Sequence, residues 1–579
     1  MHRPASSRKS RTIVLAAIAA VGLPASTAMA QQTITVPTDL PTLSLALNPA
    51  VSGLAPGDTI ELLGTTGYFE SYTIATPDIT IRGLGASPVE INPFGTGRAF
   101  NISADGGTTR FENLRIVNGA AGGASGGAIY TISGDAVEIS GCEFDANAGG
   151  QGGAVYAGNA EVFVESSVFT NNSTTGRGGA LHTFSNGANG EIVVSITDSV
   201  FDSNTATDEN GGAFYHTGVN SGVNALITIS DSQLRNNTCA GSGGGGLSNE
   251  APSVSVTRCE FIDNASLGTG SEDTGGLFLG GVADAVVRDT LFEGNTCPGS
   301  GGALRFSSSA GGVFGCRFVD NEASAGGALQ VLGAGTRVRV FNSVFDGNSS
   351  RGSGSESGEG GAVLVNGGFA EVFVWNSLFI NNTAVTGGAV TASFEGEAFI
   401  DNSTFWNNDA DAIGGAVRRL SATADTVLNN CVVWGNFPSD QQININGSGL
   451  DEVNFSLVEG GYDTEPGRNN IDADPMFVDP VGGDFSLMPG SPAIDAGSSI
   501  LYGGRTLTDL GGNARGQDDP ATVDTGEAFI GAVIDMGAFE FTAADDDPID
   551  ICPADIDGDE LIDLDDLLTV LGQFGNPCP

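Results

Sequence analysis

The chain has 579 residues, with 22 Lys and Arg against 69 Asp and Glu and a net charge of −47. A field this negative argues against nucleic acid or an anionic membrane surface as a partner and favours divalent cations or neutral ligands. The 88 glycines follow no collagen period and accompany 40% hydrophobic residues, a composition typical of many turns between short strands.

Residues 1–30 have the pattern of a secretory signal peptide. Four basic residues between Arg3 and Arg11 precede the apolar run TIVLAAIAAVGL, and the small residues AMA end it before Gln31. That run is too short to span a membrane, and no later segment is long and apolar enough. Without this leader the chain carries 18 basic and 69 acidic residues, a net charge of −51. We expect a secreted protein, extracellular or attached to a bacterial outer surface, with no transmembrane segment.

Residues 31–118 contain short strand-like segments such as GDTIELL and TPDITIRGLG, separated by turn residues. The segment TDLPTLSLAL predicts a short helix, from about Leu40 to Leu47. This part of the chain resembles the N-terminal coils of exported β-helix proteins, where such a helix covers the open edge of the first coil. We therefore interpret residues 31–118 as a cap followed by the first coils.

Two motifs alternate through residues 119–471. The first is Gly-Gly-small-apolar, which begins at Gly126, Gly152, Gly178 and Gly211 and recurs near Gly245, Gly275, Gly301, Gly326, Gly360, Gly387 and Gly414. The second is F-x-x-N, at Phe144, Phe169, Phe201, Phe261, Phe292, Phe318, Phe345, Phe379 and Phe405, with degenerate copies at Leu234 and Val433. Successive aromatic positions lie 25 to 34 residues apart, which identifies an internal repeat.

The repeat predicts a solenoid of parallel β-coils. Alternating stretches such as AEVFVESSVF precede each Phe, which is the period of a strand. Asn suits a corner because it tolerates the left-handed conformation, and Gly-Gly suits a second corner. A single unit cannot bury its own apolar face, whereas stacked units pair every backbone group with the coil above and below. A propeller needs about 40 residues or more per blade, and calcium-binding nonapeptide repeats need a different motif.

GGA[ILV] alternating with FxxN resembles the polymorphic outer membrane protein repeat of bacterial surface proteins. The resemblance covers roughly residues 111–440. It implies an all-β fold, a right-handed parallel β-helix.

An aromatic row is expected on the outside of the coils. The residue that follows each inward apolar position after GGA is Tyr130, Tyr156, His182, Tyr215 and then Ser248. Side chains alternate along a strand, so these rings are expected to form an exposed stripe. Such a stripe suits contact with an extracellular glycan, because the apolar faces of sugars lie flat on aromatic rings. The alternative is an ordinary ladder that stabilises neighbouring strands.

The cysteines of the repeat region fall into two groups. Four occupy one register two residues before the Phe position, where Ser or Thr usually stands, and are expected to be small buried residues: Cys142, Cys259, Cys316 and Cys431. Cys239 and Cys297 each follow a corner Asn. The sequence leaves the pairing of all six open.

An enzyme on the same scaffold is the alternative function. Exported β-helices include pectate lyases and polygalacturonases, but their signatures do not occur here. The chain after the signal has no lysine and only His182 and His216, which leaves few candidates for acid–base work. We therefore favour a binding or adhesion module for carbohydrate, and keep a polysaccharide lyase or glycoside hydrolase as the alternative.

Residues 472–541 resemble the choice-of-anchor Q region found at the C-terminal end of secreted bacterial β-helices, which predicts further coils and a cap. The motif positions carry five acids and one arginine: Asp484, Asp495, Asp509, Arg515, Asp535 and Glu540. These residues form either a metal or catalytic site or a set of ties between loops at the end of the solenoid. Residues 542–550 have the composition of a polar linker.

The tail, residues 551–579, has the spacing of one calcium loop. Oxygen ligands fall at loop positions 1, 3, 5, 7, 9 and 12, which are Asp555, Asp557, Asp559, Leu561 (through its carbonyl), Asp563 and Asp566. Glu560 replaces the usual glycine of the loop, and leucines at helical spacing follow. The tail resembles single-loop, dockerin-type tails, which implies Ca²⁺ binding, closure by a Cys552–Cys578 disulfide, and a docking partner that anchors the protein.

Overall fold

A computed structural model describes residues 31–542, except residues 66, 105, 133, 135, 188–191, 219–224, 250, 269, 271–272, 353–357, 446–450, 463–468, 503–507 and 529–531. The predicted signal peptide, nearly all of the predicted linker, and the tail with the predicted calcium loop and with Cys552 and Cys578 lie outside the described residues.

The described chain is a right-handed parallel β-helix, as the sequence predicts. Most coils contribute one strand to each of three long sheets, and strands at equivalent positions in successive coils pair in parallel. Sheet A has 16 described strands: Thr33–Val36, Thr59–Leu63, Ile79–Leu84, Thr108–Glu112, Ala136–Ser140, Glu161–Glu165, Ile192–Thr197, Ala225–Ser230, Ser253–Thr257, Asp284–Arg288, Ala310–Phe314, Arg337–Phe341, Glu371–Trp375, Glu397–Asp401, Asp425–Asn429 and Glu452–Asn454.

Sheets B and C each have 14 described strands. Sheet B consists of Val89–Ile91, Leu114–Val117, Glu143–Asp145, Val168–Thr170, Val200–Asp202, Gln233–Arg235, Glu260–Ile262, Leu291–Glu293, Arg317–Val319, Val344–Asp346, Leu378–Ile380, Thr404–Trp406, Val432–Trp434 and Leu457–Val458. Sheet C consists of Tyr72–Ile74, Phe100–Ile102, Ile129–Thr131, Val155–Gly158, Leu181–Ser185, Phe214–Gly218, Gly246–Asn249, Leu277–Gly280, Leu304–Ser307, Leu329–Leu332, Val363–Asn366, Val390–Ser393, Val417–Arg419 and Ile443–Asn444.

Short strands between sheets B and C form two further stacks. The first consists of Ala148–Gly149, Ser173–Thr174, Thr205–Ala206, Thr238–Cys239 and Ala265–Ser266. The second consists of Glu322–Ala323, Ser349–Ser350, Thr383–Thr386 and Asp409–Ile413. Ser439–Gln441 forms a 3₁₀ turn before Ile443–Asn444, the last strand of sheet C.

The Phe of F-x-x-N forms a buried row in sheet B. Neighbouring rings stack with their centroids 4.6 to 5.0 Å apart, and Leu234 interrupts the row. The apolar residue after GGA forms the facing row in sheet C, as at Val155 and Leu181. The two motifs therefore supply the two sides of one continuous core.

The Asn of F-x-x-N forms an unbroken buried ladder, and this is its role in the fold. In Asn172, Oδ1 accepts the backbone N–H and the side-chain N–H of Asn147 at 3.1 and 3.0 Å, and Nδ2 donates to the Phe144 carbonyl at 3.0 Å. The pattern repeats at Asn147, Asn172, Asn204, Asn237, Asn264, Asn295, Asn321, Asn348, Asn382, Asn408 and Asn436. The residue before the ladder Asn, such as Asn171 with φ 54°, takes the left-handed corner, so the prediction of that conformation for the ladder Asn is wrong by one position.

The Gly-Gly corner has a steric cause in both residues. Gly152 has φ 59°, in the left-handed region that glycine adopts most easily. A Cβ on Gly153 would lie 2.0 Å from the carbonyl oxygen of Gly179 in the next coil. The second glycine is therefore required by the close approach of successive coils.

The N-terminal segment forms two short helices, Leu43–Ala46 and Pro49–Ser52, and the first lies within the predicted helix from Leu40 to Leu47. The Thr42 side chain accepts the backbone N–H of Leu45 and begins the first helix. Leu43, Ala46 and Leu47 are buried against the first coil. These apolar residues close the N-terminal end of the core.

The described part of residues 472–541 adds no coil to the solenoid. Their strands, Phe477–Asp479 and Asp484–Leu487, pair antiparallel with each other, and a short helix follows at Ser499–Tyr502. Phe477, Phe485 and Met536 pack with Leu378 and Val432 of sheet B in a second buried cluster. The expectation of further coils is therefore wrong, because this segment returns along the outside of the last coils. Among the described residues, no helix has the length and apolar character needed to cross a bilayer.

Candidate functional surfaces

The predicted aromatic row exists on sheet C and is in register. Tyr130 pairs with Tyr156, Tyr156 with His182, and His182 with Tyr215. The next member is Leu247, whereas Ser248 is aligned with His216. The extra glycines before Leu247 displace the motif by one residue, so the assignment of Ser248 to this row is wrong.

The expected exposure of this row is correct for only part of it. Tyr130 and Tyr156 are half-buried, but His182 and Tyr215 are 2% and 3% exposed. The edge of His182 packs between Tyr156 and Tyr215, with ring centroids 5.1 and 5.0 Å away. The Arg177 guanidinium lies 5.2 Å from the centre of the Tyr215 ring. These neighbours remove His182 and Tyr215 from the surface.

Tyr130 and Tyr156 direct their ring faces toward protein neighbours. Their rings stack with centroids 5.5 Å apart and an interplanar angle of 16°. The Arg98 guanidinium lies 4.4 Å from the centre of the Tyr130 ring. Arg98 is fixed there by donating to the carbonyls of Gly126 and Ser125 at 2.8 and 2.5 Å. The half-exposed part of this pair is therefore mainly ring edge and hydroxyl.

Two pairs of phenylalanines lie on turns and are more exposed than Tyr130 and Tyr156. The alternation of side chains along a strand does not predict these positions. Phe69 and Phe94 are 53% and 62% exposed, with their ring centroids 5.0 Å apart. They lie in successive turns that lead into sheet C, the sheet that carries Tyr130. Phe369 and Phe394 are 62% and 65% exposed on successive turns between sheets C and A. In the sequence, such an exposed ring can be recognised as an isolated Phe between turn residues, as in NPFGTG.

Neither histidine is placed for surface acid–base chemistry. His216 points into the solenoid, fully buried, with Nδ1 2.9 Å from Thr183 Oγ1. Burial lowers the pKa of His216 to about 4. Burial, together with His216 and Arg177, lowers the pKa of His182 to about 3. Both rings are therefore neutral at physiological pH.

The acids of residues 472–541 tie loops together. Asp509 accepts the backbone N–H groups of Asn513 and Glu540, each at 2.7 Å. Asp535 accepts those of Asp495 and Phe541 at 2.7 and 2.6 Å. Asp484 stands apart and is exposed. The structural interpretation therefore fits Asp509 and Asp535.

Glu540 and Arg515 complete this buried network. Glu540 accepts the backbone N–H groups of Gly516 and Gln517 at 2.7 and 3.1 Å, and pairs with Arg515 at 3.1 Å. Burial and the neighbouring Glu540 raise the pKa of Asp535 to about 8. Burial also raises the pKa of Glu540, although Arg515 opposes that shift. The pairing of Arg515 with Glu540 therefore stabilises the fold here, because the carboxylate oxygens of Glu540 already accept hydrogen bonds from the backbone.

A row of asparagines at the corner between sheets A and B holds the returning segment. Asn376 and Asn430 donate to the carbonyls of Thr508 and Ser498 at 2.7 and 3.2 Å. Asn402 donates to the carbonyl of Asp535 at 3.3 Å. All three have left-handed backbone, with φ between 46° and 53°. The corner that turns each coil also presents a side chain to the segment outside.

The six described cysteines are buried free thiols. Cys142, Cys259, Cys316 and Cys431 lie in the predicted register, in a row of Ser and Thr hydroxyls that accept a backbone N–H from the neighbouring coil. Burial raises the pKa of the Cys142 thiol to about 12. The prediction of small buried residues is confirmed for this row.

Two families of known proteins match parts of the repeat region. Residues 181–349 match the family described as right handed beta helix region. Residues 166–183 match the family described as Chlamydia polymorphic membrane protein repeat. No curated protein matches the chain significantly. The two matches agree with the predicted fold and repeat type, and they indicate a surface-type β-helix protein.

Proposed function

We propose that this chain is an exported carbohydrate-binding or adhesion module, held at an extracellular surface by a calcium-dependent tail. A stacked solenoid gives a rigid rod whose outer faces offer many equivalent contact positions. The match to a surface-protein repeat supports this class of function. The mechanism is multivalent contact along a rod rather than turnover.

The observation that carries the proposal is the set of aromatic rings at the N-terminal part of the rod. Phe69 and Phe94 provide exposed apolar rings, and Tyr130 and Tyr156 provide ring edges and hydroxyls on the following coils. Apolar sugar faces pack on such rings, and sugar hydroxyls bond to phenol groups. The ligand class that fits is therefore a neutral polysaccharide, since the surrounding chain is strongly acidic.

The alternative of a polysaccharide lyase or hydrolase receives less support. Its strongest candidate is the group of Asp535, Glu540 and Arg515, which brings two carboxyls and a guanidinium together. Both carboxyls are almost fully buried, and their oxygens accept backbone N–H groups. Incubation with a panel of uronic-acid polymers, followed by assay for unsaturated or reducing ends, tests this alternative. Product formation would favour the enzyme.

The glycan contact is tested by retention on immobilised neutral polysaccharides. The variants Phe69→Ser/Phe94→Ser and Tyr130→Ser/Tyr156→Ser are each expected to weaken retention at least tenfold. The matched control is Phe369→Ser/Phe394→Ser, which removes an equally exposed pair on other turns. Unchanged retention in the first two variants contradicts the proposed contact, and equal loss in all three indicates general apolar adsorption.

The tail contributes anchoring through the calcium loop at Asp555, Asp557, Asp559, Leu561, Asp563 and Asp566, with Cys552 and Cys578 closing its ends. The test compares the mature chain with the variant Asp555→Asn/Asp557→Asn/Asp559→Asn for Ca²⁺-dependent attachment to cell-envelope fractions. Attachment is expected to need both Ca²⁺ and the native loop. Attachment that is equal in the variant, or unaffected by chelation, contradicts this role.

A further inference from the structure

Asp495 carries a buried carboxylate oxygen that lacks a hydrogen-bond partner within the described part of the chain. The residue is 0% exposed, and its Oδ2 accepts the backbone N–H of Asp519 at 3.1 Å. Its Oδ1 accepts no hydrogen bond there. An unpaired buried carboxylate oxygen is costly, because its lost hydration is not replaced. A cation bound at Oδ1 would supply the missing partner of this oxygen.

The backbone brings two further carboxylates to Asp495. The N–H groups of Thr525 and Gly526 donate to the Asp495 carbonyl at 2.9 and 3.1 Å. Together with the Asp519 bond, these contacts wrap residues 518–526 around Asp495. One carboxylate oxygen from each of Asp495, Asp518 and Asp524 then lies within 4.8 Å of the other two. Asp518 and Asp524 are exposed, so the group is open to solvent on one side.

We propose that Asp495, Asp518 and Asp524 bind a calcium ion that fastens the loop of residues 518–526 to the C-terminal end of the rod. Three carboxylates are hard oxygen ligands, and Ca²⁺ accepts them together with water. Oxygen ligands lie about 2.3–2.6 Å from Ca²⁺, so two on opposite sides of the ion lie up to about 5.2 Å apart. Oxygens that all lie within 4.8 Å of one another can therefore contact one Ca²⁺, which tolerates irregular ligand geometry better than Mg²⁺ does.

The electrostatics of the group agree with this site. Burial, followed by the charges of Asp524 and Asp518, raises the pKa of Asp495 to about 6. A divalent cation between the three carboxylates replaces this mutual repulsion with attraction. The site is separate from the calcium loop of the tail and does not depend on the glycan contact.

The test uses Ca²⁺ alone, titrated calorimetrically into the mature chain at physiological ionic strength. The background is the tail variant Asp555→Asn/Asp557→Asn/Asp559→Asn, so that only other sites are observed. This background is expected to bind one Ca²⁺, and adding Asp518→Asn/Asp524→Asn is expected to weaken that binding at least tenfold. Both substituted residues are exposed, so the fold is expected to survive, and circular dichroism checks it.

The matched control is Asp484→Asn, which removes an exposed acid of the same segment outside the group. Hydrogen exchange in residues 518–526 gives a second readout, since Ca²⁺ is expected to slow exchange there in the background and the control but not in the double variant. The proposal is overturned by an unchanged affinity in the double variant, by an equal loss in the control, or by a background that binds no Ca²⁺. None of these outcomes bears on the glycan contact or on the tail.

Discussion

The Arg515 guanidinium lies 3.1 Å from the Glu540 carboxylate, with both side chains buried, and it also donates to the Asn376 side chain at 2.8 Å. The contact with Asn376 spans 139 residues of sequence. One cation therefore neutralises an acid of the returning segment and joins that segment to the corner of a coil.

Replacement of this arginine is expected to loosen the C-terminal segment. Arg515→Met leaves Glu540 buried without its cation, and the loss of one partner from a buried pair costs about 3–5 kcal/mol. Hydrogen exchange in residues 509–541 measures the effect as faster opening. The matched control is Arg351→Met, because Arg351 is 72% exposed and pairs with Glu322 at 3.6 Å. Equal effects of the two substitutions would contradict this account.

The asparagine ladder is expected to be intolerant of substitution. Asn172→Ala removes the acceptor of two N–H groups of Asn147 and the donor to the Phe144 carbonyl. Each buried polar group left unpaired costs about 1–3 kcal/mol, so we expect about 3–5 kcal/mol in local opening free energy, measured by hydrogen exchange. The neighbour Ser173 is half-buried on the outer side, and Ser173→Ala is expected to cost less than about 1 kcal/mol. A cost for Asn172→Ala as small as that of Ser173→Ala would refute the role of the ladder.

The buried histidines are expected to make the rod sensitive to acid. The pKa of His182 is about 3 in the folded chain, against about 6.5 when unfolded. Between these values the unfolded chain binds a proton that the folded chain does not, so the contribution of His182 to stability falls as the pH drops below about 6.5. Urea unfolding between pH 4 and pH 7 measures this slope. His182→Phe is expected to reduce it, and a slope equal to that of the native chain would contradict the assignment.

The six buried thiols are expected to be unreactive in the folded chain. Burial raises their pKa, to about 12 for Cys239 and Cys297, so little thiolate is present at pH 8. Iodoacetamide at pH 8 is expected to leave all six unmodified, and urea is expected to expose all six, as counted by mass spectrometry. Rapid modification of any one in the folded chain would contradict its burial.

The repeats made most of the fold predictable from the sequence. Two motifs at a regular spacing identify which residues face inward, and Phe144 and Leu181 lie where that spacing places them. The N-terminal helix was predictable because Thr42 and the following leucines form a capped apolar segment. The role of Asn172 was not, because the bond from one Asn to the next becomes visible only when the coils are stacked.

The surfaces were harder to predict, because burial outside a coil depends on neighbours distant in sequence. Strand alternation placed His182 and Tyr215 outward, but adjacent rings and Arg177 cover them. Residues 472–541 were expected to continue the rod because they resemble a region found at the C-terminal end of secreted β-helices. Their apolar residues instead pack against sheet B, which the periodicity of a single segment does not reveal.

The asparagine ladder also means that the length of the rod changes in units of one whole coil. From Asn147 to Asn408, each amide accepts from the coil before and donates to the next ladder Asn, so the ladder bonds of successive coils are equivalent. Removing residues 173–204 would place Asn172 directly before Thr205, in register, and shorten the rod by about 4.8 Å. With 16 strands in sheet A, the whole length is about 70 Å. The gain or loss of a single repeat therefore changes the distance between the two ends of the rod and leaves the structure of each end unchanged.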